Sequence, residues 1–392
     1  MIARRWDARG VTAPLLPEYG RRSLAEVLPA LLAAIGVPGP PPALTVPPAR
    51  AAALLLVDGL GSELLRRHAA DAPFLASLPD AGPVTSGFPS STSIGLTSLG
   101  TGVPPGAHGM LGLSLLAGGE LLDTLRWTVQ GGRTDLRERL VPEEVQPVPT
   151  LLERAAAGGV AVSVVTLGEF DGSGLTRAAL RGGRFLGTYA LGDLAAGVLG
   201  AVAGPGTQLC YGYHRDLDAM GHLHGPGSLP WRLQLAQVDR LVELVADRLP
   251  PDVVLVVTGD HGMVAVDRKY DADTDPVLSD GVAQLSGDPR ARHVHVRPGA
   301  VEDVLATWRA VLGDGAWVVP AEQAVADGWF GPVVAPQARD RIGDVVVAAR
   351  GGTAVIRSRV ERFISRMPGQ HGSLTADEQL VPLLLAARRP TG

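Results

Sequence analysis

Four stretches of this chain are dominated by apolar residues and show no alternation. They are AAALLLVDGLG from Ala51, VAVSVVTLG from Val160, TQLCYGYH from Thr207 and DVVLVVTGDHG from Asp252. A strand with one face in water alternates apolar and polar residues, so runs of this kind predict strands buried on both faces. Segments of helical spacing lie between them, such as LPWRLQLAQVDRLVELVADRL from Leu229. Strands alternating with helices predict an α/β fold with a mostly parallel central sheet flanked by helices on both faces. At 392 residues and 46% apolar content, the chain has material for one large core and a smaller unit.

The remaining texture divides the chain. Residues 1–49 form a lead-in: a helix over 24–35, LAEVLPALLAAI, ends in the proline-rich GVPGPPPALTVPP. The core is expected over 50–273 and 339–392. Between them, 274–338 reads as a small inserted α+β subdomain, with RHVHVRPG and AWVVP as strands and AVEDVLATWRAVLG as a helix.

Composition excludes several classes of function. The net charge of −5 comes with no long basic run, which argues against binding a nucleic-acid polymer. No apolar run reaches the roughly 18 residues of a membrane span. The charged first residues are followed by no apolar core, so a signal peptide is not expected. The one cysteine, Cys210, sits in the run QLCYGY and reads as a small buried residue. A lone thiol permits no internal disulfide and fits a cytoplasmic protein.

Acids and histidines gather where the strands are expected to end, which is where ligands bind in parallel sheets. Asp58 follows LLLV, Asp260 and His261 follow VVLVVTG, Asp218 and His222 lie in DAMGHLHGP, and His371 lies in PGQHGS. Each alone is an ordinary cap or loop residue. Together, bordered by glycines that let the backbone turn sharply, they predict a site for divalent metal. A second stretch, FPSSTSIGLTSLGTGVPPGAHGM from Phe88, crowds hydroxyls beside glycine and proline and holds no acid, lysine or arginine. Ser90, Ser91, Thr92 and Ser93 all offer a nucleophilic oxygen there.

These motifs resemble the alkaline phosphatase superfamily, specifically its nucleotide pyrophosphatase/phosphodiesterase branch. LLLVDGLG, FPSSTSIG, TGVPPGAHGM, DAMGHLHGP, TGDHGM and GQHGS occur in the family's order and spacing from about residue 50 to 380. The resemblance implies a phosphoester hydrolase with Thr92 as the nucleophile and a phosphothreonine intermediate. It implies two divalent metal ions, zinc or else manganese or iron. Asp218, His222 and His371 would hold one, and Asp58, Asp260, His261 and the Thr92 oxygen the other. A small phosphoester is the expected substrate. The alternatives are a phosphomonoesterase on the same scaffold and a non-catalytic, metal-stabilised binding protein.

Around this set, Tyr213 occupies a position usually aromatic in the family and is a substrate-binding candidate. Gly95 stands where nucleotide-cleaving members carry asparagine, three positions after the nucleophile, and is expected to offer only a backbone N–H to the substrate. Leu217 replaces a proline usual before the second metal aspartate. Arg126, Arg133 and Arg215 are candidate cations facing a phosphomonoester. His108 is expected to be structural, while His214, Asp216 and His224 are expected at the surface or behind the ligands.

Overall fold

The computed structural model describes residues 13–386; the first part of the charged N-terminal stretch read above lies outside them. The apolar runs form a six-stranded sheet. Its order is Leu383–Ala386, Val253–Thr258, Ala51–Val57, Gln208–His214, Ala161–Leu167 and Arg184–Thr188. All neighbouring pairs are parallel except the edge strand Leu383–Ala386, which runs antiparallel to Val253–Thr258.

The central strand Ala51–Val57 shows why the pattern lacked alternation. Ala52, Leu54 and Leu56 enter one apolar cluster, whereas Ala51, Ala53, Leu55 and Val57 enter another on the opposite face. The helix Thr92–Thr101 packs into the first cluster through Ile94, Leu96 and Leu99. The helix Leu229–Ala246 packs into the second through Trp231, Leu235, Val238 and Val242. At about 25 cal/mol per Å² of apolar surface buried, burial on both faces makes this sheet the main source of stability.

A second sheet of four antiparallel strands has the order Val282–Asp288, Ala291–Val296, Val345–Ala349 and Ala316–Pro320. The helix Val301–Leu312 covers it, packing Val304, Leu305, Trp308 and Leu312 into a separate core. The strand Val345–Ala349, whose sequence lies in the stretch assigned to the core, is an inner strand of this small sheet. Its run VVVAA is buried throughout, and a doubly buried strand reads the same in either sheet. Among the described residues, no helix is long and apolar enough to cross a membrane.

Candidate active site

Parallel strands end side by side, so the residues that follow them collect along one edge. Asp58 follows Ala51–Val57, and Asp260 and His261 follow Val253–Thr258. Asp218 and His222 lie one turn apart on the helix Asp216–His224, which starts just after Gln208–His214. His371 enters from the loop after the short strand Gly369–Gln370.

The structure brings all six together. Ligand-type atoms of Asp218, His222 and His371 lie within 4.8 Å of one another, as do those of Asp58, Asp218 and His261. His222 Nε2 is 3.3 Å from Asp218 Oδ2, and His371 Nε2 is 3.7 Å from Asp218 Oδ1. His261 Nε2 is 3.4 Å from Asp58 Oδ1 and 3.5 Å from Asp260 Oδ2. The His261 and His371 rings stack with centroids 3.5 Å apart. Asp218 thus belongs to both groups, while Asp260 adjoins the second through the inward-facing Nε2 of His261.

The donor set fits a cation. Each imidazole Nδ1 faces a backbone carbonyl: His222 that of Gly369 at 2.8 Å, His371 that of Ser90 at 2.9 Å and His261 that of Gly262 at 3.0 Å. A carbonyl only accepts, which assigns the proton to Nδ1 and leaves each Nε2 as a lone pair aimed inward. His222 and His371 present their Nε2 atoms to each other at 3.1 Å. Asp218 Oδ1 and Asp260 Oδ2 are buried without a hydrogen-bond partner. Burial, then repulsion from Asp260 and Asp218, pushes the Asp58 carboxyl well above the usual range. Burial, then the neighbouring His261 and His222, drives His371 well below it. Converging lone pairs and unpaired carboxylate oxygens are costly without a positive charge among them.

One hydroxyl of the serine- and threonine-rich stretch faces this cluster. Thr92 Oγ1 lies 3.2 Å from His261 Nε2 and 3.4 Å from Asp58 Oδ2. Its serine neighbours are committed elsewhere. Ser90 donates to the carbonyl of Ser373 at 2.9 Å, Ser91 to Asp288 Oδ1 at 2.8 Å and Ser93 to the carbonyl of Gly112 at 3.0 Å. The local sequence therefore points four hydroxyls in different directions. The backbone turns from extended at Ser91 into the helix Thr92–Thr101, and Thr92 stands at its first position.

The model of the family described as type I phosphodiesterase / nucleotide pyrophosphatase matches residues 52–374. The chain belongs to this family. It is accordingly a metal-dependent phosphoric ester hydrolase. Murine ectonucleotide pyrophosphatase/phosphodiesterase 5 superposes with a TM-score of 0.65 at 16% identity, over 86% of this chain and 88% of that one. Phosphonoacetate hydrolase from Sinorhizobium meliloti, in complex with phosphonoformate, superposes with a TM-score of 0.65 at 19% identity, over 88% and 92%. At such identities these likenesses concern the fold. A short segment is similar to the catalytic subunit of human GPI ethanolamine phosphate transferase 3, 43% identical over 47 residues. That is 12% of this chain and 4% of that protein.

The other residues singled out in this family member separate into near and far. Tyr213 donates its hydroxyl to Asp58 Oδ2, so it orients a candidate ligand. His108 is fully buried, with Nε2 3.0 Å from Ser98 Oγ and Nδ1 accepting from the Met110 N–H. His214 is buried beside Gln234, and His224 is exposed. Arg215 is held by Glu169 at 2.5 Å, while Arg126 and Arg133 are exposed.

Gly95 has a different role from the expected one. Its N–H donates to the Ser91 carbonyl at 2.8 Å, the first rung of the helix, and is not available to a substrate. A Cβ at this position would lie 2.6 Å from the Asp260 Cβ, so glycine here lets the helix press against a candidate ligand.

Sequence reasoning missed the contribution of the small sheet. The hairpin of Val282–Asp288 and Ala291–Val296 carries Asp288, Arg290 and Arg292 at its turn end, all buried. Arg290 pairs with Glu378, and Arg292 with Glu361, each through two hydrogen bonds. Burial pushes the Asp288 carboxyl up to about 6. The available signal was GDPRAR, charges flanking a glycine–proline turn, which is also the signature of an exposed loop.

Proposed function

We propose that this chain hydrolyses small phosphodiesters or pyrophosphates through a covalent phosphothreonine intermediate on Thr92. The observation that carries this reading is that, of the four neighbouring hydroxyls, only that of Thr92 faces the Asp/His cluster. Murine ectonucleotide pyrophosphatase/phosphodiesterase 5 with a threonine changed to alanine is inactive and has been solved in complex with AMP. That precedent supports a threonine at the centre of the reaction.

Asp218, His222 and His371 would hold one divalent cation, and Asp58, Asp260 and His261 the other, with Asp218 within reach of both. The mixed oxygen and nitrogen set suits zinc, with manganese or iron as alternatives. Such ions supply a lowered pKa for the bound hydroxyl and compensation for charge on the phosphoryl oxygens. The rest of the reading concerns the chain's own groups. Thr92 Oγ1 attacks phosphorus, the Oγ1–P bond forms, and the bond to the leaving-group oxygen breaks in line. Asp58, steadied by Tyr213, fixes the direction of the hydroxyl. The amides of Thr92 and Ser93 precede the helical ladder and are uncapped by Ser91, so they would be free to donate to a phosphoryl oxygen. Water then attacks the Thr92 ester and regenerates the hydroxyl.

Preference for a diester follows the family described as phosphodiesterase. A dianionic monoester calls for a free cation beside its extra charge, and Arg215 is already paired with Glu169. The test is to assay the zinc-loaded protein on bis(p-nitrophenyl) phosphate and on p-nitrophenyl phosphate. A kcat/KM at least about tenfold higher for the diester is expected. Preference for the monoester would overturn the diester assignment while leaving Thr92 in place.

A further inference from the structure

We propose that Asp288 is a positioning residue for the nucleophile, and that the small sheet completes the active site by delivering it. The proposal rests on Thr92 as the attacking group. Ser91, the residue immediately before Thr92, is the N-cap of the helix Thr92–Thr101, yet its side chain makes no capping bond. A serine at that place ordinarily accepts from an amide of the first turn. Here the hydroxyl turns away and donates to Asp288 Oδ1 at 2.8 Å, across 197 positions of chain. The other oxygen, Oδ2, accepts the Leu113 N–H at 3.2 Å. Asp288 thus ties the residue before the nucleophile to the segment that follows the HGM turn.

The surroundings leave the carboxylate little freedom. It is 2% exposed. A Cβ on Gly112 would lie 2.9 Å from Asp288 Oδ2, and one on Gly372, next to His371, would lie 3.1 Å from the Asp288 Cβ. Both glycines have positive φ, +144° and +136°, so two loops of the site close on the aspartate where only glycine fits. The hairpin itself is anchored by Arg290. Its partner Glu378 also accepts the Ser373 N–H at 3.0 Å, two residues from His371. A buried pair of this kind fixes geometry more than it adds stability. The consequence is a Ser91 peptide held in one orientation, with the first helical amides uncapped and Thr92 aimed at the cluster.

The test is a double-mutant cycle on the zinc-loaded full chain with the diester substrate. Asp288→Ala is expected to lower kcat about 10- to 100-fold, as a misplaced reacting group does, with KM changed less than about twofold and bound metal unchanged. Asp288→Asn keeps one acceptor and should recover part of the loss. Ser91→Ala should cost about as much as Asp288→Ala, and the double variant no more than the worse single variant. Additive losses, or Ser91→Ala at the parent kcat, would overturn the proposal. Should Asp288→Ala fail to fold, Ser91→Ala still decides it. Thr92→Ala run in parallel separates the two levels. If Thr92→Ala is inactive and Asp288→Ala keeps the parent kcat, the positioning role fails alone. If Thr92→Ala is active, the reading beneath it fails.

Discussion

The two halves of the site differ in depth. Asp58, Asp260 and His261 have side chains 4%, 0% and 0% exposed, and Thr92 leans on them. Asp218, His222 and His371 are at 13%, 17% and 9% and border the exposed end of the helix Asp216–His224. The deep half is built from strand ends of the main sheet, and the shallower half from a helix and a loop. A nucleophile benefits from a dry, rigid floor, whereas a leaving group and an incoming water need a way in. The difference in burial therefore suits the deep side to the nucleophile and the shallower side to a leaving group and water.

The largest expected effect is on the deep side. Thr92→Ala should lower turnover on the order of 10³-fold or more while bound metal, measured by elemental analysis, stays at the parent level. Next comes the contrast between the halves. A chelator should strip metal in two phases, and His222→Ala should remove one bound ion while the other stays. Loss of both ions together would erase the distinction. Smaller still, Tyr213→Phe removes the hydroxyl that orients Asp58 and should weaken metal retention about tenfold in a chelator titration.

Acid probes the packing beneath the nucleophile helix. Burial lowers His108 from its ordinary 6.5 to about 3, and His293 likewise to about 3. Between those values the unfolded chain takes up protons that the native state refuses. Each histidine should therefore lower stability by about 1.4 kcal/mol per pH unit as pH drops from 6.5 towards 3, while Asp288, raised to about 6, opposes one of them below pH 6, so that a net fall remains. Denaturant titrations at pH 7 and 5 measure the slope. An equal stability at both would mean that these rings accept protons in place.

The main sheet was legible because doubly buried strands leave continuous apolar runs, and the candidate ligands because their Asp/His clusters each carry glycine and follow such a run or stand in a loop or on a short helix. Thr92 was distinguishable from its serine neighbours only through family register. In the fold, hydrogen bonds to three separate partners make the same distinction. Gly95 misled because a glycine that replaces a polar residue suggests a backbone contact, whereas its packing against Asp260 comes from elsewhere in the chain. Asp288 was invisible for the same reason. Its partner Ser91 is 197 positions away, and no local pattern records that distance.

The central claim is that Thr92 carries the transferred group. Its most direct test is an acid quench of the zinc-loaded enzyme during diester turnover, followed by peptide mass spectrometry. The expected result is one substrate-derived phosphoryl adduct, located on Thr92 and absent from Thr92→Ala. An adduct on Ser90, Ser91 or Ser93, or undiminished turnover by Thr92→Ala, would contradict it.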